Sequence, residues 1–269
     1  MQFWELVRLS PWSPPISNDR EGKMVKTNNR SRIGNLLLSS LPAAEWKRLE
    51  SSFEVVHVEV EQRLAEFEKP LQYVWFPHDC ITSTVVTADD GTFLEVGLMG
   101  AEGMVGLSLV LAEDVSNTTV IVQVPGDATR MDAKDFKREV LSERGPFVQL
   151  IQRYCNAFMS MIAQSAVCNT THPLDERMCR WLLMTHDRIR QDRMQLAHKF
   201  LAMMLGVPQP TVATTASILK QAGLIDCTLE TVTVLDRKGL EQSACECYAI
   251  ITRQLETVFS PEWRENARR

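Results

Sequence analysis

No stretch of this chain reaches the roughly 18 consecutive apolar residues that argue for a membrane-spanning helix. Phe3, Trp4, Leu6 and Val7 lie near the start, but Glu5 and Arg8 interrupt them, so no signal-peptide core forms. The seven cysteines are odd in number and scattered. That excludes a disulfide framework and points to reduced thiols and a cytoplasmic location. Cationic excess is missing as well. Residues 31–144 hold ten Lys/Arg against nineteen Asp/Glu, and residues 145–269 hold fourteen against twelve. The acidic front half is therefore excluded as a nucleic-acid surface, while the back half qualifies weakly. No nucleophile elbow, Walker loop or paired-carboxylate motif occurs, so neither an enzyme nor a cofactor is expected.

Histidine is scarce. His57, His78, His172, His186 and His198 are the full set. His78 and Cys80 form a His-x-Cys pair, far short of a zinc pattern, and read as a turn between strands. Cys245 and Cys247, flanked by acid, read as helix-packing thiols. No metal site is expected.

What is present suffices for two domains: 269 residues, 45% apolar and 23% charged. The stretch from Met194 to Ile225 carries two helical patterns with a tight break. Leu196, Phe200, Leu201, Met204 and Leu205 predict one apolar helix face, ended by Gly206 in a left-handed conformation. A second helix opens near Pro210, where a missing N–H costs nothing. Val212, Ala216 and Leu219 form its inward stripe, extended by Ile218, and Gly223 closes it. Ile225–Cys227 and Thr231–Val234 then alternate as a small hairpin around Leu229-Glu230. Helix, turn, helix and wing is a geometry that places its second helix in a DNA major groove.

Upstream, residues 1–30 mix proline, serine, asparagine and scattered charge without periodicity and are expected to form a flexible arm, with Met24 as an alternative start. Leu36–Leu38 and Glu45–Leu49 predict short helices, with Pro42 near a helix start. Short strands follow at Phe53–Val60, with Val56, Val58 and Val60 on one face, then at Tyr73–Phe76, Ile81–Val86, Phe93–Met99 and Thr118–Val124. Asp90-Gly91 supplies a hairpin turn, and the spacing predicts a compact β-roll or barrel. From Pro146 to Cys168, three rows repeat every seven residues: Phe147, Tyr154, Met161 and Cys168; Leu150, Ala157 and Gln164; Ile151, Phe158 and Ser165. A 3.5-residue period over three heptads predicts a helix–helix seam, with Phe147, Leu150, Tyr154 and Met161 at a dimer interface; a long helix buried within one domain fits the same rows, and both hold if one face lies on its own barrel and another on a partner. Thr171-His172-Pro173 breaks this helix, and Pro173 opens another with Met178, Trp181, Leu182 and Thr185 inward.

With these residues in place, the stretch from about Asn35 to Phe259 resembles the Crp/Fnr family of bacterial transcription regulators. The resemblance is carried by Tyr73-Val74-Trp75-Phe76-Pro77, Glu95-Val96-Gly97, the run Gly100 to Gly106, Arg177 with Arg180-Trp181-Leu182-Leu183, Phe200 to Val207, Pro210-Thr211-Val212, Ala222 to Ile225 and Cys245 to Tyr248. It implies an α+β fold with a cyclic-nucleotide-binding-like β-roll at 31–145, a long dimerisation helix and hinge at 146–172, and a C-terminal winged helix-turn-helix at 173–259. A tail at 260–269 follows.

Members that hold cyclic nucleotides use a Gly-Glu pair for the ribose and a later Arg with Ser or Thr for the phosphate. Here Glu102-Gly103 is a displaced echo of the first, and Ser116-Asn117-Thr118-Thr119 stands where the Arg would fall. A phosphate without a cation is poorly held, so the sensor fold is expected without cyclic AMP. The iron–sulfur branch of the family needs clustered N-terminal cysteines, and none precedes Cys80. On the reading helix, Gln209, Pro210 and Thr214 replace the family's usual charged residues. Gln209, Thr211, Thr214 and Lys220 are the expected DNA contacts, and Glu230 on the wing would repel phosphate. The implied partners are a palindromic duplex operator and a second copy of the chain, with RNA polymerase as a possible third. The alternative is a small-molecule-binding or protein-interaction module whose helix-turn-helix no longer binds DNA.

Overall fold

A computed structural model of the chain describes residues 34–88, 93–189 and 191–259; the expected arm at 1–30, the Asp90-Gly91 turn and the tail at 260–269 lie outside them. Two short helices begin the described part, α1 (Leu36–Ser39) and α2 (Ala43–Leu49). The fully buried Asn35 caps α1, its side-chain oxygen accepting from the N–H groups of Leu37 and Leu38, while its amide donates to the carbonyls of Pro77 and Gly103. A buried amide with all these bonds made fixes the helix on the sheet behind it.

Seven strands form the roll: β1 (Glu54–Val58), β2 (Arg63–Ala65), β3 (Tyr73–Pro77), β4 (Ile81–Thr87), β5 (Phe93–Met99), β6 (Thr119–Val124) and β7 (Gly126–Asp132). They make two sheets, ordered β1-β7-β3 and β2-β6-β4-β5, each antiparallel throughout. Only Pro125 separates β6 from β7, and the chain changes sheet there. Sequence patterning did not resolve β2 or β7. Val60, expected on the apolar face of β1, lies past its end and is 53% exposed. A short helix α3 (Leu107–Val110) follows Gly106, whose φ of 103° suits only glycine and whose absent side chain leaves room for Val74. After α4 (Ala133–Asp135) and a π turn at Phe136–Val140, the chain enters α5 (Pro146–Thr171), with Pro146 at its start.

Most of the three heptad rows of α5 turn inward within the single chain. Phe147, Tyr154 and Met161 are 3%, 0% and 1% exposed within one chain, and Leu150 packs half-buried against the same core. Three of the four expected dimer contacts are thus interior to the protomer, while Leu150 keeps part of its surface open. The reason is that a wide apolar stripe fits any flat partner, and the roll is the nearest one. Phe158, for instance, packs where a Cβ on Gly97 of β5 would stand.

Beyond His172 come α6 (Leu174–His186), β8 (Arg193–Gln195), α7 (His198–Leu205), α8 (Gln209–Gln221), β9 (Ile225–Cys227), β10 (Thr231–Val234), α9 (Arg237–Ser243) and α10 (Cys247–Val258). Met194 and Leu196, expected at the start of a helix, instead belong to a strand and the turn after it: β8 pairs with β10 in a three-stranded sheet ordered β8-β10-β9. Helix α10 runs along α5, with the Arg153 guanidinium donating to the Thr257 carbonyl.

One continuous apolar core joins the roll to the C-terminal domain, and three polar contacts pin the joint. The Arg188 guanidinium pairs with the Glu102 carboxylate at 2.6 Å, both side chains being at most 1% exposed, and also donates to the Met184 carbonyl. Removing either partner strands the other charge, at a cost of about 3–5 kcal/mol. Arg177 donates to the Leu205 carbonyl at the end of α7 and to Asn169 of α5. Trp181 Nε1 donates to Glu95 Oε1 on β5 at 2.9 Å.

The stem of Glu95 is partly exposed, but its second carboxylate oxygen is shut in without a partner. Burial pushes its pKa up to about 7, against hydrogen bonds from Ser83 and Trp181 that pull it down. A carboxyl whose pKa rises on folding stabilises the fold while protonated. That contribution is full below the ordinary value of 4.5 and drains away as pH rises to about 7. Urea unfolding of wild type and Glu95→Gln should therefore diverge across this window, wild type losing at most about 3 kcal/mol relative to the variant. Parallel pH curves would show that Glu95 ionises freely.

Candidate nucleic-acid interface

Helix α7 stops because Gly206 adopts φ 65°, its N–H closing back on the carbonyls of Ala202 and Met203. Val207 and Pro208 make the turn, and α8 starts at Gln209 with Pro210 in its first turn. Val212, Thr215, Ala216 and Leu219 are buried against α7 and its neighbours. Gly223, at φ 73°, releases the chain into the wing. The sequence placed these signals correctly, because each rests on local backbone chemistry.

The outward face of α8 presents Gln209, Thr211, Thr214, Ser217, Ile218 and Gln221. Ile218 was expected to extend the inward stripe, yet it is 54% exposed. It follows Thr211 by seven residues and Thr214 by four, which puts all three on one side. An exposed isoleucine there suits a thymine methyl. The sequence pattern missed it because Ile218 and Leu219 are adjacent and equally apolar, and about 100° of helical rotation turns one of them outward.

The hydroxyls are partly committed. Thr214 Oγ1 donates to the Pro210 carbonyl at 3.0 Å and Ser217 Oγ to the Ala213 carbonyl at 2.9 Å. Thr211, an expected DNA contact in the first turn, donates its N–H to the Pro208 carbonyl. Pro210 has none to give, so the start of α8 is a poor anion site. Lys220 is held as well: its ammonium lies 2.6 Å from Asp226 on β9, and the hydrogen bond to that carboxylate raises its pKa. At the wing tip, Thr228 Oγ1 accepts from the N–H groups of Glu230 and Thr231, leaving Leu229 64% exposed. Behind the interface, Arg237 ties α9 to Asp187, Tyr248 and His186. His186 Nδ1 accepts from Arg237, so Nε2 carries the proton and donates to Asp192.

The β-roll and α5 enclose a cavity of about 130 Å³, lined among others by Thr84, Met99, Met104, Asn117, Phe158 and Met159. No charged side chain lines it. Glu102 and Gly103, expected as remnants of a ribose site, lie elsewhere. Glu102 is spent on Arg188, and a Cβ on Gly103 would collide with the Tyr154 hydroxyl. Gly100 packs against the Arg188 stem in the same way. The glycine-rich loop is a socket for the joint between domains.

Cys245 and Cys247 do pack between helices, but in company: Cys168 and His172 join them, and all four donor atoms lie within 4.8 Å of one another. The sequence carried a signal for this in the Cys-x3-His and Cys-x-Cys spacings, read separately because 72 intervening residues part them.

A β-roll, a long helix and a winged helix-turn-helix make up the architecture of the described residues. Residues 176–243 match the family model of the Crp-like helix-turn-helix domain. The chain also has the fold of FixK2 from Bradyrhizobium japonicum, with a TM-score of 0.61 at 12% identity over 72% of this chain and 98% of that one. A CRP-family transcriptional regulator from Thermus thermophilus superposes with a TM-score of 0.57 at 16% identity, covering 70% and 96% of the two chains. The c-di-GMP-responsive global regulator CLP of Xanthomonas campestris gives 0.56 at 14% identity, covering 72% and 99%. No curated protein matches the chain in sequence. The Crp/Fnr resemblance read from the residues holds: this is a Crp-like helix-turn-helix domain on a Crp/Fnr fold.

Proposed function

We propose that the chain is a homodimeric, sequence-specific transcription regulator whose sensor domain has lost its cyclic nucleotide. The observation that carries DNA binding is the open polar face of α8 within a Crp-like domain, with Gln209, Thr211, Thr214 and Ile218 unburied. Gln209 can pair bidentately with adenine, and Thr214 and Ile218 offer methyl groups to thymine. Lys220 becomes a phosphate contact only by giving up Asp226. Affinity therefore leans on shape and base contacts more than on charge, and salt dependence should be shallow for such a protein.

Selection of bound duplexes from a random pool tests this. The expected product is a palindrome whose half-sites lie about 10 base pairs apart centre to centre. Gln209→Ala should relax preference at one base pair per half-site by about 1–3 kcal/mol. If no palindrome emerges even at low salt, a small-molecule or protein-interaction module is the better reading.

Dimerisation is assigned to the one row of α5 that the roll and α10 leave open: Gln152, Asn156, Met159, Ala163, Ala166 and Thr170 alternate at three- and four-residue spacing, and Met159 is 54% exposed. Small alanines allow close approach, and a polar residue such as Asn156 sets register at some cost in stability. Met159→Glu with Ala163→Glu should convert dimer to monomer in sedimentation at low micromolar concentration without unfolding it. A persistent dimer would place the seam elsewhere.

The sensor cavity supports a small, uncharged, largely apolar effector. Its volume is about 130 Å³, close to the engineered cavity of about 150 Å³ that holds benzene. Its Thr84 hydroxyl is buried without a partner and offers a polar handle. Calorimetric titration with cyclic AMP or cyclic GMP should show no binding at physiological concentrations; a micromolar dissociation constant for either would overturn this reading.

A further inference from the structure

Three thiols and one imidazole converge where the long helix gives way to the DNA-binding domain. Cys168 lies in the last turn of α5 and His172 caps its end, four residues on, so both share one side of the helix. Cys245 precedes α10 and Cys247 is its first residue. The three cysteines are 0%, 4% and 0% exposed and form a cluster of their own, apart from the continuous apolar core. Packing alone would be served better by leucine or valine.

Geometry and chemistry both point past packing. All four donor atoms lie within 4.8 Å of one another, with Cys168 Sγ 3.5 Å from Cys245 Sγ and Cys247 Sγ 3.6 Å from His172 Nδ1. A tetrahedral ion with bonds of about 2.3 Å to sulfur and about 2.0–2.1 Å to nitrogen sets its donors roughly 3.5–3.8 Å apart. The surrounding groups also fit. Glu246 lies 3.2 Å from His172 Nε2, a carboxylate that holds the proton on that nitrogen and leaves the Nδ1 lone pair facing the sulfurs. Gln164 Nε2 donates to Cys247 Sγ at 3.1 Å, which stabilises a thiolate. The buried guanidinium groups of Arg177 and Arg180 interact electrostatically with Cys168 and offset the excess negative charge of three thiolates around a divalent ion. The Thr171 hydroxyl, 3.3 Å from Nδ1, donates to the Val167 carbonyl at 2.8 Å and so competes little with a metal.

We propose that Cys168, His172, Cys245 and Cys247 bind one Zn²⁺ per chain, a closed structural site that clips α10 to the end of α5. Thiolate with imidazole in a tetrahedron selects zinc among common divalent ions. Four protein donors leave no open position for substrate, and donors this close enclose one ion rather than an iron–sulfur cluster. Binding releases the three thiol protons to solvent and changes no oxidation state. The site sits at the His172-Pro173 break, so the metal would hold the hinge between the sensor roll and the reading head.

Full-length protein, produced with zinc in the medium and purified reduced without a metal-chelate resin, tests this. Elemental analysis should find one zinc per chain, lost on replacing Cys247→Ser with His172→Ala and kept in Cys227→Ser, a half-exposed wing cysteine outside the cluster. Cobalt(II) exchanged into the wild type should give the strong visible bands of a tetrahedral site with thiolate charge transfer, a readout that needs no variant to fold. Chelation should lower the melting temperature of wild type and leave the double variant unchanged. Absence of both zinc and the cobalt spectrum in folded, reduced protein would overturn the site. So would a Cys168–Cys245 disulfide in its place, undiminished zinc in the double variant, or a different metal at full stoichiometry.

Discussion

The buried pair between Glu102 and Arg188 is the constraint on which the rest of the molecule depends. Two charges held away from water are costly unless they meet with good geometry, and here they come from opposite domains. The loop Gly100 to Gly103 is shaped around them, glycine standing wherever a Cβ would strike the Arg188 stem or the Tyr154 hydroxyl. Roll, long helix and reading head therefore share one core, and the joint cannot slide without exposing an unpaired charge. Movement of α6 relative to the roll must be a switch between packed arrangements rather than a gradual drift.

Helix α5 has three sides, two of them covered within the chain and one open. Its bulkiest residues close the roll. A second side meets α10 through Arg153 and Gln164. The third stays open, and Met159 on that side also lines the sensor cavity. In the proposed dimer, a molecule filling the cavity would press on a residue that the second copy would touch.

The DNA-reading surface has much of its polarity already engaged within the protein. Lys220 answers Asp226, two hydroxyls turn back onto their own helix, and the wing carries Leu229 and Glu230 at its tip. Such a surface has little to offer to phosphate in general. In the proposed regulator, discrimination would rest on shape and a few base contacts.

Local chemistry was legible from the residues alone. The left-handed glycine at 206, the proline-started helices at 146 and 210, the hinge at His172-Pro173 and most strands of the roll depend on neighbours within a few positions. Side-chain partnership was another matter. Periodicity found three apolar rows on α5, but which row meets the roll, which meets α10 and which stays open depends on elements far away in the chain. Ile218 and Leu219 were equally apolar until the fold turned one outward. Glu102-Gly103 looked like part of a ligand site until Arg188 arrived from 86 residues away. Cys168 and His172 acquired Cys245 and Cys247 only because α10 folds back along α5. Backbone conformation is set by short-range sterics, and the sequence determines it directly; charge pairs and donor clusters are made by chain closure, which only the tertiary structure decides.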